Sequence, residues 1–219
     1  MPSLLFRRGS HVTAAVTHLR GADRKLNWLI DRAGPFTLKV NRDRYGMLVR
    51  SILSQQISTK AARAIRLKLE ASVGGLSPAA ITAASDTTLR AAGLSAQKVT
   101  YLRDLTLHVS DGRLALQRLH RLDDEAVIEQ LIAVKGIGRW TAQMFLMFSL
   151  GRLDVFPYDD LGIRSSLREL YGLSDLPTKA QSLEIAAPWQ PYSTIASWYL
   201  WRLSDLKIDP KMDASQYPV

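Results

Sequence analysis

The chain has 219 residues, 47% of them hydrophobic, enough for one compact body or for two small subdomains sharing a cleft. Its 29 Lys and Arg outnumber 20 Asp and Glu, and the resulting net charge of +9, with a pI near 10.0, favours a polyanionic partner. The lack of cysteine excludes disulfides, thiolate zinc sites and iron–sulfur clusters, and no apolar run approaches the ~20 residues of a membrane span, so a cytoplasmic protein is expected.

In chain order, the first eleven residues read as a frayed terminus, with an apolar stretch too short for a secretion signal. Gly34-Pro35 is the first break, and Phe36 to Val40 reads either as irregular chain or as a small strand. "YGMLVRSILSQQI" and "LEASVGGL" repeat apolar residues at helical spacing. Ser77 before Pro78, Ser95, Asp123 and Thr178 each stand as a cap before a periodic run. "AVIEQLIAV", "WTAQMFLMFSL" and "YSTIASWYLWRL" are helical again. Turn signals cut the chain into roughly ten short helices, so the fold class is all-α. No fixed-period repeat or low-complexity tract interrupts it.

In "VKGIGRWTA", Val134 and Ile137 anchor a turn inward while Gly136 and Gly138 leave its amides accessible at the start of a helix. Free amides at a helix start attract anions, and a side chain on either glycine would block close approach. Preceded by the amphipathic "LDDEAVIEQLIAV", the unit reads helix, hairpin, helix. Spacing alone fits a plain tight connection equally well; the net charge with Lys135 and Arg139 beside it favours phosphate. Further on, "FPYDDLGIR" sets Asp159 and Asp160 side by side, either as a capped helix start or as carboxylates for chemistry. His11, His18, His108 and His120 are scattered without metal-ligand spacing, so no metal site is expected.

Three ordered blocks, "MLVRSILSQQISTKAA", "GLSAQKVTYLRDL" and "VKGIGRWTAQMFLMFSLGRLDVFPYDDLGIR", resemble the helix-hairpin-helix, Gly/Pro-rich loop and aspartate superfamily of DNA glycosylases. Within it they look most like the bacterial 3-methyladenine DNA glycosylase II branch. The likeness runs from about Tyr45 to Trp201; the first forty or so residues carry no such match.

The resemblance implies two helical subdomains with a DNA-binding cleft between them. Residues 45–152 would form a bundle containing the hairpin unit at 123–151, and residues 1–44 with 153–219 a second, discontinuous body. It implies a repair enzyme of the bacterial cytosol or nucleoid, probing double-stranded DNA as a monomer and flipping an alkylated base out of the stack. Asp160 is the expected catalytic carboxylate, stabilising an oxocarbenium-like sugar while water attacks. Asp159 is the runner-up and otherwise an N-cap or first-turn acid.

Relatives that also cut the backbone carry a Schiff-base lysine where this chain has Trp140, which implies a monofunctional glycosylase. Gln56 is the expected wedge, while Gln55 reads as a helix-end cap. Gly136, Gly138, Lys135, Arg139, Thr141 and Lys98 are the expected DNA phosphate contacts. Trp140, Trp189, Tyr192 and Tyr158 are expected to line a pocket for a cationic base; Trp198 and Trp201 read as core. No cofactor is implied beyond a monovalent cation at the hairpin when DNA is bound. Two rival readings are a glycosylase for an oxidised or deaminated base and a non-catalytic DNA-binding module.

Overall fold

The computed structural model describes residues 8–208, and every regular element within them is helical. The helices are α1 (Arg8–Ala22), α2 (Arg24–Ala33), α3 (Arg44–Ser54), α4 (Thr59–Val73), α5 (Pro78–Ala83), α6 (Asp86–Ala91), α7 (Ala96–Ser110), α8 (Asp124–Ile132), α9 (Arg139–Phe145), α10 (Leu161–Tyr171), α11 (Lys179–Ala186) and α12 (Ser193–Ile208). Short 3₁₀ turns cover Leu116–Arg121 and Ala187–Trp189, and a π turn at Leu146–Leu150 extends α9. Since α1 opens at Arg8, the last residues of the stretch expected to fray are helical. Phe36 to Val40 is irregular. Residues 1–7 and 209–219 of the expected second subdomain lie outside the described residues. Among the described residues no helix is long and apolar enough to cross a membrane.

Local chemistry accounts for the helix starts. Ser77, Ser95, Asp123 and Thr178 accept the N–H groups of Ala80, Lys98, Ala126 and Gln181, and Thr178 completes a capping box with Gln181. Ser58 and Ser85 do the same for α4 and α6. Each such bond satisfies an otherwise orphaned amide and contributes ~1 kcal/mol.

Two compact units divide the described chain: residues 41–150, and residues 8–40 with 151–208. In the first, α3 buries Met47, Leu48, Ile52 and Leu53, and α7 buries Val99, Leu102 and Leu105. The segment 141–150 is buried at every residue, as its largely apolar composition around Thr141, Gln143 and Ser149 suits a helix through a core. Tyr45 bonds Thr106 at 2.7 Å inside this core, and burial pushes its phenol up to about 12. In the second unit α12 packs on α2 and α10. Ser166 on α10 donates to the Leu200 carbonyl at 2.7 Å, and Phe36 meets Trp198 edge-on at 5.0 Å. Thr194 ties the start of α12 to the Leu153 carbonyl at 3.0 Å, which fixes the segment leading into "FPYDD".

Candidate nucleic-acid interface and active site

The hairpin between α8 and α9 is held from inside its own unit. Val134 and Ile137 are buried, as their positions require of anchors. Gly136 has φ +82°, and a Cβ there would lie 2.2 Å from Cδ2 of Tyr101, so two independent demands select glycine. Gly138 differs: its backbone is extended, a β-carbon on it would meet nothing within 4 Å, and it caps α9 without any side-chain bond. What Gly138 contributes is an open approach to the first turn of α9.

The expected phosphate contacts fall into distinct kinds. Lys135 is exposed, with its backbone N–H donated to Asp104 Oδ2 at 2.8 Å. Arg139 is exposed too but forms a two-pronged ion pair with Glu125, its Nη1 donating to Oε2 at 3.0 Å and its Nη2 to Oε1. The Thr141 side chain is buried in the core of its unit, so a phosphate contact at this residue falls to its backbone in the first turn of α9. Lys98 has a partner inside its own unit. Its Nζ donates to the Leu53 carbonyl at 2.6 Å, and burial lowers its ammonium from the ordinary lysine value. It binds the end of α3.

The "SQQIS" turn follows α3. Gln56 is exposed and has φ +58°, the one positive φ at a non-glycine among the described residues. Such a backbone costs ~1–2 kcal/mol at a side-chain-bearing residue, so its neighbours must hold it. Gln55 closes α3 as expected of a helix-end residue, and its side chain has a role the sequence does not disclose. Its Nε2 donates to the Gly136 carbonyl at 2.8 Å, joining the turn to the hairpin across 81 residues.

In the other unit, Pro157 starts a turn whose carbonyl accepts the Asp160 N–H at 2.9 Å. The cap of α10 is Asp160 itself, which corrects the expectation that Asp159 fills that place; Asp159 is exposed. Asp160 Oδ1 accepts from the Ile163 N–H at 2.8 Å and from the Trp201 indole Nε1 at 3.0 Å. A Cβ on Gly162 would stand 3.1 Å from Asp160 Oδ1 and 3.3 Å from Trp201 Cδ1, so the glycine admits the indole. Trp201 is core, as its helical spacing suggests, and it also orients the carboxylate. An α10 start and an α12 indole thus fix one half-buried acid from two directions.

The aromatic expectations divide as well. Trp140 is 48% exposed in the first turn of α9. Tyr158 is half-buried, with Lys179 Nζ 4.3 Å above its ring and donating to its hydroxyl at 3.0 Å. Tyr192 is half-buried with its ring edge on His18 at 5.3 Å. Trp189 is corrected: it is 0% exposed, packs edge-on against Phe156 at 5.7 Å, and donates Nε1–H to Asp23 Oδ2 at 3.0 Å. Asp23 also caps α2 and accepts the Tyr171 hydroxyl. Burial works against ionisation of Asp23, but bonds from Tyr171, Leu26, Trp189 and Lys25 together outweigh it and hold the carboxyl below its ordinary value.

Residues 49–191, which contain the turn, the hairpin and Asp160, match the profile of the HhH-GPD superfamily of base excision DNA repair proteins. The chain belongs to this superfamily. Among HhH-GPD relatives it is 38% identical over 202 residues to DNA-3-methyladenine glycosylase 1 of Schizosaccharomyces pombe, covering 89% of each chain. The fold superimposes with a TM-score of 0.79 on a DNA-3-methyladenine glycosidase from Bacillus halodurans, at 36% identity over 100% of this chain and 96% of that one. It also matches the S. pombe 3-methyladenine DNA glycosylase in complex with abasic DNA, with a TM-score of 0.76 and 35% identity over 91% of this chain and 100% of the other. The HhH-GPD match reaches back only to residue 49, whereas the likeness to the B. halodurans structure covers the whole chain and so takes in α1 and α2.

Proposed function

We propose that the protein is a monofunctional DNA glycosylase that removes alkylated bases, of the 3-methyladenine and 7-methylguanine type, from duplex DNA. The observation that carries this reading is Asp160: a carboxylate held by the first turn of α10 and by the Trp201 indole, in an HhH-GPD chain. A purely DNA-binding relative has no use for an acid oriented by a dedicated indole. The names of the relatives, and the abasic DNA bound to one of them, support the substrate class.

The reaction breaks the C1′–N bond, and the bonding electrons leave with the base. Positive charge grows at C1′, and a fixed carboxylate stabilises it more than mobile water does, because no reorganisation is needed at that moment. Water then adds to C1′ and gives up a proton, leaving an abasic site and free base. Trp140 stands where lyase relatives carry lysine, so no Schiff base forms and the DNA backbone stays intact. Alkylation at N3 or N7 leaves the purine cationic, and stacking of such a ring on an indole is worth ~1–2 kcal/mol when desolvated. The exposed face of Trp140 suits it to that contact.

Incubation with duplexes carrying 7-methylguanine, 8-oxoguanine or uracil tests the reading. Release of free 7-methylguanine with alkali-labile sites is the expected result. Release of only the oxidised or deaminated base reassigns the substrate, and binding without any release reduces the protein to a DNA-binding module.

A further inference from the structure

We infer that Gln55, the residue before the wedge, is a positioning residue for base extrusion: it fastens the wedge turn to the phosphate-binding hairpin, so that gripping the backbone presents Gln56 to the stack. The inference rests on the proposed glycosylase reading and, within it, on the expected roles of Gln56 as wedge and of the hairpin as phosphate grip.

The turn and the hairpin are far apart in sequence and meet through side chains. Gln55 Nε2 donates to the Gly136 carbonyl at 2.8 Å. Gly136 lies in the left-handed region, so the direction of that carbonyl is set by a conformation few other residues adopt. A single face of α7 reinforces both partners. Lys98, Tyr101 and Asp104, three residues apart, point the same way along the helix. Lys98 Nζ holds the Leu53 carbonyl at 2.6 Å, next to the turn. The Tyr101 ring lies directly beneath Gly136. Asp104 Oδ2 accepts the Lys135 N–H at 2.8 Å. Turn, hairpin and α7 therefore form one braced assembly within one unit.

The wedge itself supplies the reason for a brace. Gln56 keeps φ +58° at a side-chain-bearing residue, a conformation that persists only where the surroundings impose it. The amide of Gln55 is adjacent and anchored. Glutamine suits the task because it carries an N–H donor at the right reach; an ionised glutamate of equal shape has none and sets its oxygen against the carbonyl.

Gln55→Glu and Gln55→Met are compared with the unsubstituted protein in single-turnover release of 7-methylguanine, once from a fully paired duplex and once from a single strand. Release from the duplex should fall about tenfold, the upper end of what one neutral hydrogen bond carries. Release from the single strand, where no extrusion is needed, should change less than about twofold. A purely structural bond slows both substrates alike or neither, and either pattern overturns the inference. A second readout is independent of catalysis: 2-aminopurine placed beside an abasic-site analogue brightens when a wedge unstacks it. Both variants should bind that duplex yet lose most of the brightening; full brightening sinks the brace. If the unsubstituted protein releases no base from any substrate but still brightens 2-aminopurine, the enzymatic reading fails and the brace stands.

Discussion

Substituting Gly136 by alanine separates the two demands the hairpin makes on that residue. The φ of +82° costs a β-carbon-bearing residue ~1–2 kcal/mol. The new methyl would also lie 2.2 Å from Tyr101 Cδ2, 2.5 Å from Cγ and 2.6 Å from Cε2, so ring or hairpin must move. Overpacking of that kind costs ~1–3 kcal/mol. The sum, ~2–5 kcal/mol, lowers the melting temperature by roughly 4–20 °C for a chain of this size if unfolding is cooperative. The assay is thermal unfolding followed by circular dichroism, with Gly136→Ala made in the native background and in Tyr101→Ala. Removing the ring relieves the clash but leaves the backbone strain, so the penalty should shrink to ~1–2 kcal/mol in the second background. An equal penalty in both backgrounds, or none in either, refutes the account of the hairpin.

Three further expectations concern the site and its surroundings. Asp160→Asn keeps a good helix cap, so stability should move by less than ~1 kcal/mol while base release disappears and binding to an abasic-site analogue survives; loss of release in Asp159→Asn instead would move the chemistry one residue back. Lys98→Met should leave the salt dependence of duplex binding unaltered because its ammonium serves the Leu53 carbonyl, whereas Lys135→Met should reduce the slope of log K against log salt by ~1 for the phosphate it no longer neutralises. Asp23 has a folded-state pKa below its unfolded value, so the stabilisation it brings is present above the ordinary carboxylate range and fades as pH falls through the folded value. Urea titrations from pH 6 downward should therefore show stability falling below about pH 4, and Asp23→Asn should flatten that limb.

Much of this organisation is open to a reader of the sequence, for identifiable reasons. Helix caps are local devices, which is why Ser77, Ser95, Asp123 and Thr178 can be named without knowledge of the fold. The hairpin glycines announce themselves by spacing. The family pattern selects Asp160 as the acid, yet local chemistry leaves the cap of α10 open to Asp159, since adjacent aspartates look identical and only the turn at Pro157 decides between them. What stays hidden is long-range pairing. Lys98 reads as a phosphate contact until the end of α3 is brought against it, and Gln55 looks like a helix terminus until the hairpin arrives from 81 residues away. Trp189 eludes a sequence reading for a related reason: its partner, Asp23, lies 166 positions upstream, in the part of the chain where no motif is visible.

In the catalytic role proposed for Asp160, its double duty ties chemistry to local stability. The same oxygen that starts α10 also receives the α12 indole, so the reactive group has no life of its own apart from the helix it opens. Loosening the first turn of α10 would therefore also release the carboxylate from the N–H that orients it, and a contact that tightens the turn would hold it more firmly.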